Sequence, residues 1–117
     1  MNIEDLWEYC KSKPFSEESF PFNQDLIVFK VKGKMFASFR LDQFRSVNLK
    51  CDPERAIELR EKYLAVQPGY HMNKKHWNTL ILNDDLPDKN VLKLVDHSYE
   101  LVIKSLPKKT QNELSFG

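Results

Sequence analysis

Residues 26–41 read Leu-Ile-Val-Phe-Lys-Val-Lys-Gly-Lys-Met-Phe-Ala-Ser-Phe-Arg-Leu. Two runs rich in β-branched and aromatic residues flank Val31-Lys32-Gly33-Lys34, where Gly33 can supply the positive φ that a hairpin loop needs. The register follows from chemistry. An odd-numbered loop pairs odd residues with odd, placing Ile27, Phe29, Met35, Ala37, Phe39 and Leu41 on one face. Lys30, Lys32, Lys34, Ser38 and Arg40 then share the other face with Leu26, Val28 and Phe36. A two-residue loop would strand Lys34 and Arg40 beside Ile27 and Phe29, so the odd pairing is expected.

Outward from this hairpin, residues 46–50 read as a further short strand. Asp52-Pro53-Glu54 announces a helix: Asp52 as N-cap, Pro53 at its first position, Glu54 near the positive end of the dipole. That helix is expected to reach about residue 63, with Ala56, Leu59, Tyr63 and Leu64 inward. Pro68-Gly69 reads as a turn, and residues 70–72 and 77–82 as two strands joined by Asn73-Lys74-Lys75-His76. Pro87 opens a final helix whose inward stripe is Val91, Leu94, Val95, Ser98, Leu101 and Val102, ending before Pro107. Toward the N-terminus, Ile3, Leu6, Trp7 and Cys10 recur at helical spacing, and Pro14 ends that helix. A short run at 17–22 and an Asn23-Gln24-Asp25 turn lead into the hairpin.

The expected architecture is therefore α+β in two layers, ordered α, three or four β, α, two β, α. Its antiparallel sheet of about five or six short strands carries the helices on one face and leaves the other partly open. Residues 1–109 form one domain in this reading, with 110–117 a flexible C-terminal tail.

Composition narrows the class. At 41% hydrophobic and 30% charged residues the chain is too apolar for a disordered one. No apolar run approaches the roughly 20 residues that cross a bilayer, so no membrane association is expected. Met1-Asn2-Ile3-Glu4-Asp5 opens straight into a helical pattern without a leader, and Cys10 and Cys51 form no CxxC pair. Both features suit a reducing, cytoplasmic setting.

A net charge of +1 creates no global field, so an electrostatic partner must be met by a local patch. Charge is nevertheless segregated. Between residues 30 and 50 stand Lys30, Lys32, Lys34, Arg40, Arg45 and Lys50 against Asp42 alone. The first 25 residues carry Glu4, Asp5, Glu8, Glu17, Glu18 and Asp25 against Lys11 and Lys13. A cationic strand face can neutralise a few phosphates, and a glycine-tipped hairpin can approach a groove. The plainer reading is a solvated face whose lysines protect a sheet edge. In the stretch from His71 to Asn78, Lys74 and Lys75 can grip phosphate, Asn73 or Asn78 can bond a base edge, and Trp77 can stack. Here the plainer reading makes Trp77 a core anchor and His71 and Asn73 turn-fixing residues.

Several stretches resemble the MmcQ/YjbR family. They are Phe20-Pro21-Phe22, Val28-Phe29-Lys30-Val31, Gly33-Lys34-Met35-Phe36-Ala37, Val47-Asn48-Leu49-Lys50-Cys51-Asp52-Pro53, Asp96-His97-Ser98-Tyr99-Glu100-Leu101 and Ser105-Leu106-Pro107-Lys108-Lys109. The block from Pro68 through Gly69-Tyr70-His71-Met72-Asn73-Lys74-Lys75-His76-Trp77-Asn78 to Thr79 is the most specific. The resemblance runs from the first helix to about Lys109 and implies a two-layer fold related to frataxin (CyaY)-like domains. It also implies a DNA-binding mode in which β-hairpins reach toward the duplex.

Catalysis has little to stand on. His71 and His76 are five apart, an odd spacing that puts them on opposite faces of a continuous strand. No HExxH, CxxC or paired-carboxylate pattern accompanies them, and three glycines make no phosphate loop. Cys51, just before a helix N-terminus, is placed where a dipole can lower a thiol pKa, although a lone cysteine there is more often packing. Glu4, Asp5 and Glu8 read as a solvated helix face rather than an iron-binding ridge. No catalytic residue, metal or cofactor is expected, and no enzyme. The expected function is DNA binding with weak sequence preference, through Lys30, Lys32, Lys34, Arg40, Lys50, Asn73, Lys74, Lys75 and His76 on the phosphate backbone. The alternative is a protein-interaction adaptor using the open sheet face.

Overall fold

Lys32 and Gly33 both have positive φ, 50° and 78°, and close the central hairpin as a two-residue turn between the paired residues Val31 and Lys34. Such turns match the twist of the strands they join. The structure of the chain, a computed structural model, describes residues 1–114. In it β2 (Leu26–Val31) and β3 (Lys34–Arg40) pair with an irregularity between Phe29 and Lys30. Lys30 faces Met35 but Phe29 faces Ala37, so Phe36 is an extra residue on β3, a β-bulge. The expected odd-with-odd pairing holds from Phe29↔Ala37 to Ile27↔Phe39, while the tip takes the two-residue loop that had been set aside. The bulge reconciles the two registers. It sends Phe36 to the buried face and Met35 to the open one, reversing the expectation for both.

Outside this hairpin, β1 (Glu17–Ser19) pairs with β2, β4 (Ser46–Lys50) with β3, and β6 (Trp77–Ile81) with β4. The last edge strand, β5 (Val66–Pro68), pairs with β6. The result is one antiparallel six-stranded sheet in the order β1-β2-β3-β4-β6-β5. The strand expected at 70–72 is not formed. His71 sits at φ 59°, incompatible with a strand, and the edge position goes to 66–68, where Pro68 costs no ladder bond.

Helices α1 (Ile3–Ser12), α2 (Pro53–Lys62) and α3 (Asp88–Ser105) cover one face. Asn2 and Asp5 cap α1 reciprocally, and Asp52 accepts from the Arg55 amide at the start of α2. Along α3 the buried stripe is Val91, Leu94, Val95, Ser98, Tyr99 and Val102, with Tyr99 taking the place expected for Leu101. Leu64 is 83% exposed rather than inward, because the helix has ended and Asp85 accepts from the Leu64 and Ala65 amides. The tail expected to be flexible after Lys109 instead forms α4 (Lys108–Glu113), anchored by buried Leu114 and by a Gln111 bond to the Leu106 carbonyl. Residues 115–117 of that tail lie outside the described residues.

The sheet and helices are joined by polar anchors. Ser98 Oγ accepts from the Lys50 amide at 2.9 Å and donates to the Phe36 carbonyl at 2.5 Å. The residue before it in α3, His97, accepts through Nε2 from the Asp52 amide at 3.1 Å. Burial, then the nearby Arg55, lowers the His97 pKa below its ordinary value. A group with a depressed folded-state pKa stabilises fully above its unfolded value, near 6.5 for histidine, and that contribution fades as pH falls through the folded value. The urea midpoint should therefore drop between neutral and mildly acidic pH. A His97→Gln variant, which keeps an acceptor that does not titrate, should show less of that drop.

Candidate nucleic-acid interface

Alternating strand direction places three segments at one end of the sheet: the β2–β3 turn, the end of β4, and the loop from β5 to β6. Lys32, Lys50, Lys74, Lys75 and His76 belong to that end, with Lys30 just below the turn. Arg40 closes β3 at the opposite end. There Asp42 holds it bidentately, Nε to Oδ1 at 3.0 Å and Nη2 to Oδ2 at 2.7 Å. Hydrogen bonding to Asp42 raises the Arg40 pKa, and the same contact lowers that of Asp42. The structure thus separates Arg40 from the other candidates.

Lys34 is also diverted. Paired with buried Val31, it leaves the sheet on the helix side, and Nζ lies 3.4 Å from the Ser105 carbonyl at the end of α3. A cation at a helix C-terminus is a stabilising arrangement. Lys30 remains on the open face but stands opposite Glu17 of β1.

The loop at 69–76 is built from its own backbone. Gly69 donates to the Trp77 carbonyl at 2.9 Å, and a Cβ there would lie 2.8 Å from Trp77 Cβ, so only glycine fits without a shift. Asn73 Oδ1 accepts from the Lys75 and His76 amides at 2.9 and 3.3 Å, which makes Asn73 a turn-fixing residue rather than a free base reader. Lys74 Nζ folds back to the Gly69 carbonyl at 3.2 Å. Asn78 is buried, and its Oδ1 accepts from Arg60 Nε at 2.7 Å. Arg60, missed in the sequence, braces the loop through the Lys74 and Trp77 carbonyls as well. Its only sequence signal was a cation in the last turn of a helix. Lys32 and Lys75 are the exposed end-of-sheet cations with no ion pair or side-chain hydrogen bond among the described residues.

The two histidines and Cys51 do not share a pocket. His71 lies over the open face, whereas Cys51 is buried at the helix side, its thiol pushed up to about 11 by burial rather than lowered by the helix. Both cysteines are free and buried. Among the described residues no group of three or more His, Cys, Asp or Glu is arranged to hold a metal, and no helix is long and apolar enough to cross a membrane.

The open face itself is not flat. Leu26, Val28, Met35, Ser38, Asn48 and Thr79 form the floor of a groove of about 630 Å³, with Phe22 and Tyr70 at its rim. This groove was illegible in the sequence because its rim residues, Phe22 and Tyr70, come from separate loops at opposite ends of the strand order, one after β1 and one after β5.

The YjbR family model matches residues 11–101. The Escherichia coli K12 protein YjbR is 36% identical over 115 residues, covering 97% of this chain and 98% of that protein. A crystal structure of Deinococcus radiodurans protein DR2400 superposes with a TM-score of 0.93 at 38% identity, covering 99% of this chain and 89% of that one. A Pseudomonas syringae protein superposes with a TM-score of 0.74 at 29% identity, over 87% of this chain and 99% of that one. The protein whose hairpin, bulge and braced loop are described above belongs to the YjbR family.

Proposed function

We propose that this protein binds duplex DNA without catalysis, using the end of its sheet where the β2–β3 turn and the β5–β6 loop project on either side of the end of β4. One observation carries the reading: Lys32 at the β2–β3 turn and Lys75 in the β5–β6 loop are exposed, unpaired cations leaving the same end of the sheet. Lys50 and Lys30 lie between or beside them, Lys30 with its charge partly offset by Glu17. Phosphate contact by so few cations gives modest affinity, and with Asn73 occupied by its own turn there is little to read base edges. Sequence preference is accordingly weak.

Fluorescence anisotropy with a labelled duplex across a salt series tests this. Two to four phosphate contacts correspond to a log–log slope of about −2 to −4. Absence of binding at low salt, or binding indifferent to salt, would remove the reading. An adaptor role for the open sheet face has less support, because that face is a walled groove whose apolar floor is interrupted by the hydrogen-bonded row Ser38, Asn48 and Thr79 rather than one continuous apolar patch.

A further inference from the structure

The geometry points to a second binding site, independent of the DNA reading: the open-face groove takes a small aromatic molecule bearing a carboxylate. Its volume of about 630 Å³ falls within the range of small-molecule pockets. The floor mixes apolar Leu26, Val28 and Met35 with a hydrogen-bonded row, Ser38, Asn48 and Thr79.

Proton direction along that row can be followed. The Tyr70 amide donates to Thr79 Oγ1 at 2.9 Å. The Thr79 hydroxyl lies 2.6 Å from Asn48 Oδ1, a distance that suits O–H donating to a carbonyl. Asn48 Nδ2 then donates to Ser38 Oγ at 3.2 Å. Two protons remain unused: the Ser38 hydroxyl and the second Asn48 amide hydrogen. Ser38 is only 4% exposed, and its hydroxyl proton finds no acceptor among the described residues. The row therefore offers donors to a ligand and asks for an acceptor.

The lining agrees. Arg40 and His71 line the groove and no Asp or Glu does. Asp42 offsets the Arg40 charge from outside the lining, so what the wall offers an anion is chiefly guanidinium and row donors rather than net charge. Arg40 still has Nη1 uncommitted beyond its pair with Asp42. The walls specify the body of the ligand. Phe22 is 77% exposed and Tyr70 70% exposed, the Tyr70 ring 4.0 Å from that of His71. Two solvated aromatic rings flanking a slot gain most by stacking on a planar apolar body.

Amide NMR of the full chain tests the assignment, with 1-naphthoate as the probe and 1-naphthylmethylammonium as its charge-reversed counterpart. Naphthoate should give saturable shifts centred on Ser38, Asn48, Tyr70 and Thr79, and the ammonium should bind at least about tenfold more weakly. Phe22→Ala, at a solvent-exposed position that leaves the core intact, should weaken naphthoate about fivefold. Asn48→Asp, which exchanges a donor for a carboxylate, should abolish binding while its own spectrum reports that the fold is kept. No saturable shift in the groove, equal response to both probes, or a Phe22→Ala variant that binds as tightly as the parent would each overturn the site.

Discussion

Replacing Phe36 with alanine will destabilise the fold by about 3–5 kcal/mol, while the same truncation at neighbouring Met35 will cost no more than about 1 kcal/mol. Phe36 is fully buried, packs edge-on against Tyr99 at 5.4 Å between centroids, and meets Phe29 at 6.2 Å. Its removal leaves a cavity between the sheet and α3 that neighbouring rings fill only in part. Met35 lies on the other side, in the open groove, where water replaces it. Urea unfolding of the two variants measures the difference. Without the bulge the two side chains would exchange faces, and the order of the two losses would reverse.

Ser98→Ala is the second large effect, about 2–4 kcal/mol. The substitution orphans two main-chain groups at once, the part-buried Lys50 N–H and the buried Phe36 carbonyl, each costing roughly 1–3 kcal/mol when left unpaired away from water. Ser105→Ala is the control, because that hydroxyl is exposed and bonds only within its own helix turn and to Lys34. It should cost no more than about 0.5 kcal/mol. Hydrogen exchange adds a local readout: the Lys50 amide should lose protection in Ser98→Ala beyond the global change.

Legibility in the sequence followed the strength of local signals. The hairpin was readable because alternating residues separated Ile27 and Phe29 from Lys30, and the second helix because Asp52-Pro53 marks a start that nothing else mimics. The bulge was not. Met35 and Phe36 are both apolar, so hydrophobic pattern cannot say which one faces the core, and only the turn chemistry of Lys32 with Gly33 decides it. The edge strand at 66–68 was hidden by Pro68, which reads as a turn yet suits an edge. The helix after Pro107 was hidden too, since a polar run offers one apolar anchor, Leu114. Two pairings that hydrophobic pattern does not report diverted the site cations: Arg40 is taken by Asp42, its near neighbour in the chain, and Lys34 by the distant end of α3. Segregated charge was visible in the chain; which cations stay free was not.

Charge reversal at chosen ends of the sheet tests the central proposal most directly. Lys32 and Lys75 stand at one end and Arg40 at the other, all three exposed, so none of the substitutions touches the core. A Lys32→Glu/Lys75→Glu variant should bind duplex DNA at least about tenfold more weakly than the parent, with a salt slope shallower by about 2. Arg40→Glu should stay within about twofold of the parent, since its charge is already met by Asp42. Equal losses from both variants, or a double variant that binds like the parent, would contradict the account.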